Sequence, residues 1–472
     1  MSSRAAAAAL TGLLAGLPLL HAGAAEAPPA ESQPASTPAA TAPSAGAPLP
    51  DERSTAYRQF RDAFDDRRYA DALPHALEVL RLTERQFGRD AQQLANPLAN
   101  VATTHYRLKD YGAAVDAYTR ALAVLEDGGN EVGAQMVRPL QGLAAAYRGL
   151  GRDAEAIAPL QRALDLSRNR DGLFNPGQLV LLRPLADLHM KLGNVEDAAR
   201  LNQYAYTVAE NSYGKEDARV LKPLDDYARW NESVGRYTAA RLLHGRAVQI
   251  AEKAGGRGSV LMVDGLRGLA RSYRLGYVYG EDEEAAMAAA QQAAPEVMPG
   301  LARPVTGPNP DGERALRTAL AIVQASPQPD PALLGALHLD LGDWYLTLEA
   351  KQRAAVEYRE AWKAFTQAGR TEAMQSPALL AWRLPLASVA RRTEDAERYE
   401  RKDIRVTMTI GADGQARELV ASSDGVPESV ERNTVTSLRR GVYRPRYEAG
   451  QPAESTGFTH LSQVWVKREK VE

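Results

Sequence analysis

The sequence repeats itself with a period of 42 residues, and this periodicity limits the possible folds more than any other feature. Two rows of alanine carry the period: Ala72, Ala114, Ala156, Ala198 and Ala240 form the first, and Ala102, Ala144, Ala186, Ala228 and Ala270 form the second. Apolar residues around them recur at three- and four-residue steps, which is typical of amphipathic helices. Since alanine lets two helices approach closely, the pattern predicts helical hairpins. One hairpin cannot bury its own apolar face, so the hairpins should stack into an α-solenoid.

The repeat resembles the tetratricopeptide repeat. The residues that carry the resemblance are Leu143, Ala144 and Tyr147 with Ala156, Leu160 and Ala163, and again Leu341, Gly342 and Tyr345 with Ala354, Tyr358 and Ala361. The period exceeds the family's usual length of about 34 residues, and it is similar to the long repeats of kinesin light chains. Residues 98–102 followed by residues 118–122 match that subclass. The resemblance implies a mainly α, right-handed solenoid over residues 51–400.

The period breaks after Gly276. An acidic run, Glu281–Glu284, precedes an Ala/Gln-rich stretch and then five prolines up to Pro310. This composition predicts a short helix followed by an extended loop. The acidic run is interpreted as favourable charge at a helix start, with cation binding as the alternative. Helix is expected again from Asp311, two more helices should follow, and Pro377–Arg391 is predicted to be a final helix that caps the solenoid.

The first fifty residues predict an export signal and a spacer. A positively charged start is followed by the uncharged Ala/Leu-rich run Ala5–Leu20 and by small residues up to Ala25. This order predicts a cleaved signal peptide over residues 1–25 and therefore a periplasmic protein. An uncleaved membrane anchor is the alternative, and only then would the chain contact a membrane. Residues 26–50 contain 7 Pro and 8 Ala, which predicts a disordered linker.

The last seventy residues change from helical periodicity to alternation. Apolar residues alternate with polar ones over Ile404–Ile410, which predicts a strand with one buried face. A turn and a returning strand, Arg417–Ser422, should follow. Pro427–Arg440 is then a predicted helix and Phe458–Lys467 a final strand. The order β-β-α-β predicts a small α+β domain over residues 401–472.

This segment resembles the carboxyl-terminal domain of TonB-type energy transducers. The matching residues are Val406–Ile410, Asp413–Gln415, Val420–Gly425, Leu438–Arg440, Tyr443–Pro445 and Gly450–Pro452. The resemblance implies a domain that adds an extended strand of a partner to its sheet edge, or pairs with itself. The family's opening Tyr-Pro is absent between Arg391 and Arg405, and Gly441 stands where an aromatic residue is usual.

Composition and motifs argue against several classes of function. The chain has 57 basic and 59 acidic residues, without the basic excess of a nucleic-acid binder. It has no cysteine, which excludes disulfides, thiolate metal sites and thiol nucleophiles. The seven histidines do not form a zinc-binding spacing, and neither a phosphate loop nor a nucleophile elbow is present. We therefore predict no catalytic residue, no metal and no cofactor.

Candidate partner-binding residues fall on two surfaces. In the repeat family the first helices line a concave groove, and Asn100 occupies the position where the kinesin-light-chain subclass has an asparagine that contacts a peptide backbone. Gly142, Pro184 and Asp226 interrupt this asparagine row. The candidates are Asn100, Arg107, Arg148 and Arg229 in the groove, and Arg439, Arg440, Arg444 and Arg446 in the carboxyl-terminal domain. Their alternative role is that of exposed helix charges or of a charged edge that discourages aggregation.

These features favour a non-enzymatic adaptor that binds proteins or peptides of the cell envelope. The groove would hold one partner and the α+β domain another, and removal of residues 403–472 should leave the solenoid folded. One alternative is a membrane-anchored energy transducer for outer-membrane transport. A second alternative is an enzyme whose paired carboxylates come together only on folding.

Overall fold

A computed structural model describes residues 50–127, 133–281, 283–293, 305, 307–382 and 399–467. The predicted signal peptide and residues 26–49 of the predicted linker lie outside the described residues. Two compact units divide at Lys215 and Glu216. Within the described residues, no helix is both long and apolar enough to cross a membrane.

The amino-terminal unit consists of four helical hairpins. Its helices are α1 Pro50–Asp65, α2 Tyr69–Phe87, α3 Ala95–Arg107, α4 Tyr111–Asp127, α5 Ala134–Gly149, α6 Asp153–Asp171, α7 Leu179–Lys191 and α8 Val195–Tyr213. Each odd-numbered helix packs against the next helix along the chain. The two alanine rows lie at these contacts, and Ala72, Ala114 and Ala156 are completely buried. The predicted use of alanine at close helix approaches is confirmed.

The turn inside each hairpin adopts a left-handed backbone conformation at the same repeat position. The residues are Arg67 (φ 60), Lys109 (φ 63), Gly151 (φ 73), Gly193 (φ 83) and, in the carboxyl-terminal unit, Gly235 (φ 81). Glycine adopts this conformation without strain, whereas a side chain makes it costly. The left-handed turn residue therefore recurs every 42 residues, as the alanines at the helix contacts do.

The carboxyl-terminal unit begins with further hairpins and then departs from the period. Its helices are α9 Leu221–Ser233, α10 Tyr237–Gly255, α11 Val263–Tyr279, α12 Glu283–Ala293, α13 Pro310–Gln324, α14 Pro331–Thr347 and α15 Lys351–Ala368. The short helix α12 packs on α10, while α13 packs on α11 and α14 on α15. The predicted short helix after Gly276 and the helix near Asp311 are confirmed. Most of the predicted extended loop, residues 294–304, lies outside the described residues.

A small strand-containing region follows the helices. Its elements are β1 Ala378–Ala381, β2 Tyr399–Ile410, β3 Ala416–Ser423, α16 Glu428–Arg439, β4 Val442–Arg444, β5 Arg446–Glu448, β6 Gln451–Ala453 and β7 Ser455–Lys467. β2 is the central strand of an antiparallel sheet of order β3-β2-β7, and β5 pairs with β6. Ile404, Val406, Met408 and Ile410 form the buried face of β2. The two predicted strands, the helix and the final strand are confirmed.

The predicted capping helix at Pro377–Arg391 is wrong over its described part. Residues 378–381 form β1, which pairs antiparallel with β4, and residues 383–391 lie outside the described residues. All four β1 residues are buried. The Ala/Leu-rich sequence has helical propensity, but pairing with a strand more than sixty positions later determines its conformation. The predicted boundary at residue 400 also falls inside β2.

Candidate functional site

A cluster of paired charges lies on the first helices of the carboxyl-terminal unit. Three ion pairs form it: Arg229 Nε to Asp225 Oδ2 at 2.7 Å, Arg271 Nε to Glu232 Oε2 at 2.7 Å, and Arg267 Nε to Asp340 Oδ2 at 2.6 Å. The second pair joins α9 to α11 and the third joins α11 to α14. We call these six residues the first-helix charge cluster. They join charges of both signs across three helices, and their side-chain exposure ranges from 55% for Arg229 to 5% for Glu232.

His244 of α10 lies beneath this cluster. Its ring is 1% exposed, and its Nε2 is 3.1 Å from Glu232 Oε1. Gly268 of α11 makes room for the ring, because a Cβ at that position would lie 2.3 Å from the imidazole. His244 Nδ1 and Asp225 Oδ1 are 4.0 Å apart, and neither atom has a hydrogen-bond partner. Buried polar atoms of His244 and Asp225 therefore lie beneath the first-helix charge cluster.

Charged neighbours lower the pKa of two acids of the cluster, Glu232 and Asp225. Burial by itself raises the pKa of Glu232, but Arg271 and the hydrogen bond from His244 outweigh it, and the net pKa is lowered. The pKa of Asp225 is also lowered, because Arg229, His244 and Arg271 together outweigh the effect of burial. Asp340 is the main cause of the raised pKa of Arg267. The cluster thus holds charges of both signs, and Arg229 is its most exposed member.

The predicted groove residues of the amino-terminal unit lie on α3 and α5. Asn100 and Arg107 are half-buried on α3, and Arg148 is half-buried on α5. The buried Nε of Arg107 has no hydrogen-bond partner. Gly142, which replaces the asparagine one repeat later, lies over Tyr118, and a Cβ there would approach the ring to 2.1 Å.

The Tyr118 ring therefore occupies the space next to Gly142, where the repeat has no side chain. Its hydroxyl is 2.8 Å from Thr103 Oγ1, and burial raises its pKa to about 12. His244 occupies the same position under Gly268, three repeats later. Sequence reasoning identified Gly142 as a break in the asparagine row but missed the ring beneath it. Tyr118 and His244 lie three 42-residue periods apart in the sequence, and this spacing was the available signal.

The four predicted arginines of the strand-containing region do not share one surface. Arg439 and Arg440 are exposed at the end of α16. Arg446 Nε donates to the Glu454 backbone oxygen at 2.6 Å. Arg444 is 2% exposed, and its Nη1 lies 2.9 Å from both carboxylate oxygens of Asp343 on α14. Arg444 is thus held inside the molecule, and sequence reasoning did not identify Asp343.

The β7 strand is a second candidate interaction surface. β7 pairs with β2 from Ser455 to Lys467, and no strand among the described residues pairs with its other edge. Thr459 and Leu461 are exposed on one face, and His460 and Ser462 are buried on the other. An unpaired edge presents backbone donors and acceptors that an extended segment can match.

Comparison with known proteins identifies the repeats. The model of the family described as "Tetratricopeptide repeat" matches residues 61–127 and 178–253. The Arabidopsis thaliana protein KINESIN LIGHT CHAIN-RELATED 2 is 28% identical over 292 residues, which cover 61% of this chain and 39% of that protein. The matched part of the chain thus spans about two fifths of the relative's length.

Solved structures with similar repeats include two of low sequence identity. Kinesin-light-chain TPR-like repeats of Podosopora anserina are 16% identical with a TM-score of 0.38, covering 43% of this chain and 95% of theirs. The carboxyl-terminal part of a TPR protein from Cytophaga hutchinsonii is 14% identical with a TM-score of 0.41, covering 68% and 99%. The predicted fold class, a mostly helical tetratricopeptide-type array followed by a small strand-containing region, is confirmed.

Proposed function

We propose that this chain of tetratricopeptide repeats is a non-enzymatic adaptor of the cell envelope that binds two protein partners. Tetratricopeptide repeat proteins bind peptides or proteins. One partner would lie on the first helices, where the first-helix charge cluster offers fixed charges of both signs. The other would add an extended strand to β7. The observation that carries the proposal is the unpaired edge of β7.

The proposed strand partner is supported by the arrangement of the strand-containing region. The sequence resemblance to the TonB carboxyl-terminal domain concerns β2, β3, α16 and the passage up to Gly450–Pro452. In the structure these elements leave β7 as a long outer strand. A partner strand would gain main-chain hydrogen bonds along β7, and alternate side chains such as Leu461 would set its sequence preference.

A cross-linking experiment tests the strand partner. Because the chain has no cysteine, Thr459→Cys on β7 and Ser422→Cys on β3 each give one site for a photoreactive label. We expect partner cross-links from position 459 and none from position 422, together with slower amide exchange in β7 when the partner is bound. Cross-links of equal yield from both positions, or unchanged exchange in β7, would contradict strand addition.

A charge reversal tests the proposed groove. Arg229 is exposed apart from its pair with Asp225, so Arg229→Glu places two acids side by side at the surface. We expect this variant to lose the first-helix partner and to keep the β7 partner in affinity capture. Arg432→Glu, which likewise places two acids four positions apart on an exposed helix face beside Glu428, is the control. Loss of the same partners from both variants would argue against a specific groove.

Export is a separate part of the proposal and rests on residues 1–25. Mass spectrometry of the amino terminus of the cellular protein tests it. We expect a mature chain that begins at Ala25 or Glu26. An intact amino terminus in the membrane fraction would instead favour the anchored energy transducer.

A further inference from the structure

The last helical hairpin has an apolar face that no further repeat covers. Repeat arrays bury each hairpin against its neighbours, so a terminal hairpin needs a cap. On α15 this face includes Tyr358 and Trp362, while Phe365 packs against Gly335 of α14 inside the hairpin. The helix predicted to cap them is not formed over residues 378–381. The strand-containing region covers this face instead.

Two residues of the β5–β6 hairpin contact α15. The rings of Tyr447 and Tyr358 lie 5.4 Å apart, and Tyr447 belongs to the same hydrophobic cluster as Tyr345 and Phe365. Gly450, at φ 78, lies against the indole of Trp362, since a Cβ would approach its Cδ1 to 3.1 Å. The hairpin thus extends the core of the helical array.

A buried ion pair lies beside this contact. Arg444 Nη1 donates to Oδ1 and Oδ2 of Asp343, both at 2.9 Å, and the two side chains are 2% and 8% exposed. The Tyr358 hydroxyl donates to Asp343 Oδ1 at 2.9 Å. Because both charges are withdrawn from water, separation of the two surfaces would leave each without its partner. The pair therefore opposes any movement of the strand-containing region away from α14.

A second attachment comes from β1. This strand leaves the helical array soon after α15 and pairs with β4, which ends at Arg444. The Arg274 guanidinium of α11 donates to the Leu380 backbone oxygen at 3.3 Å. The region is thus held at β1, at β4 and at the β5–β6 hairpin.

We propose that the strand-containing region is the cap of the repeat array and that the Asp343–Arg444 pair locks it there. The last hairpin and the sheet then form one cooperative body, not two modules joined by a linker. This departs from the expectation that the helices would stay folded without residues 403–472. It also means that a ligand bound on the sheet has a fixed orientation relative to α14 and α15, whatever that ligand is.

Native-state hydrogen exchange of the unmodified full chain tests the cap. If the proposal holds, the slowest amides of β2, β4 and β7 and those of α14 and α15 open in the same step, with equal dependence on added denaturant. If the sheet amides exchange through an opening that leaves α14 and α15 protected, the region is an independent module and the proposal is overturned.

Two variants at neighbouring arginines test the lock. Arg444→Met should accelerate exchange of the slowest α14 and α15 amides by about 100-fold or more, because it leaves Asp343 buried without a cation. Arg440→Met, at an exposed site four residues away, should change these rates by less than about threefold. Faster exchange confined to the sheet in Arg444→Met would overturn the lock. If Arg444→Met does not fold, the exchange pattern of the unmodified chain still decides whether the strand-containing region is the cap.

Discussion

At the scale of single residues, the hairpin turns adopt the same left-handed backbone conformation with different residue types. The left-handed position is occupied by glycine in three hairpins but by Arg67 and Lys109 in the first two. A left-handed conformation costs a non-glycine residue about 1 kcal/mol or more. The first two hairpins therefore carry local strain that the three hairpins with glycine avoid, and Glu349 (φ 61), in the turn between α14 and α15, carries the same strain.

We expect Lys109→Gly to stabilise the amino-terminal unit. The substitution removes the strain of φ 63, and the flexibility that it adds to the unfolded chain offsets part of the gain, so the net effect should be about 0.5–1 kcal/mol. Urea unfolding followed by circular dichroism measures it. Gly151→Ala, the reverse change one repeat later, should destabilise by a similar amount. A stabilising Gly151→Ala would show that the turn does not impose this conformation.

His460 makes the stability of the strand-containing region depend on pH. Its ring is 8% exposed and lies 5.0 Å from the Trp382 ring, and burial lowers its pKa to about 4. The unfolded chain binds the same proton near pH 6.5. The full stability is therefore present above pH 6.5 and falls as the pH drops toward 4, by about 3 kcal/mol.

His460→Phe provides the test. Phenylalanine keeps an aromatic ring beside Trp382 and cannot be protonated, so the loss of stability between pH 7 and pH 4.5 should be smaller than in the parent chain. Urea unfolding at the two pH values gives the difference. An identical pH dependence in both proteins would show that other groups account for the acid sensitivity.

At the scale of elements, successive second helices are linked by one contact every repeat. Glu84 pairs with Arg120 at 2.6 Å, and Glu126 pairs with Arg162. One repeat later the contact becomes a cation–π interaction, with Arg168 4.6 Å from the centre of the Tyr204 ring. All three connect positions 36 residues apart. Each exposed contact contributes only about 0.2–1 kcal/mol, so their regular spacing helps to set helix register more than stability.

The contact between α10 and α11 depends on the missing side chain at Gly268. We expect Gly268→Ala to destabilise the carboxyl-terminal unit by about 1–3 kcal/mol, because the added methyl group collides with the buried His244 ring. Gly112→Ala on α4, where nothing lies within 4 Å, should instead stabilise by up to about 1 kcal/mol. Thermal unfolding compares the two. An unchanged melting temperature in Gly268→Ala would mean that the ring can move aside.

At the scale of the whole molecule, the burial cost of the Asp343–Arg444 charges and the attraction between them can be measured separately. Arg444→Met should destabilise the carboxyl-terminal unit by about 3–5 kcal/mol, since a carboxylate stays buried without its cation. The double variant Asp343→Leu/Arg444→Met removes both charges and should recover most of that loss. Urea unfolding of the parent, single and double variants measures this. A double variant as unstable as Arg444→Met would indicate that side-chain shape, not charge, holds the cap.

The sequence was sufficient for features that local interactions determine. The alanine rows, the turns and the alternation in β2 depend on residues close in the chain, and they predicted the repeat helices and the three strands of the β3-β2-β7 sheet correctly. β1 and the burial of Arg444 could not be predicted in this way, because both depend on partners at least sixty residues distant. The predicted groove position at Asn100 came from resemblance, while the rings under Gly142 and Gly268 were missed although Tyr118 and His244 share one position of the 42-residue repeat.

The distance along the chain between Asp343 and Arg444, 101 residues, also has a consequence in time. At about 5–20 residues per second, a ribosome needs about 5–20 s to make Arg444 after Asp343. During that interval the nascent α14–α15 hairpin has no counter-ion for its acid and no cover for Tyr358. A chain cut anywhere between these residues would keep both defects. The α14–α15 hairpin therefore becomes fully stable only after Arg444 has been synthesised. Chains that end before Arg444 should be cleaved more readily by proteases.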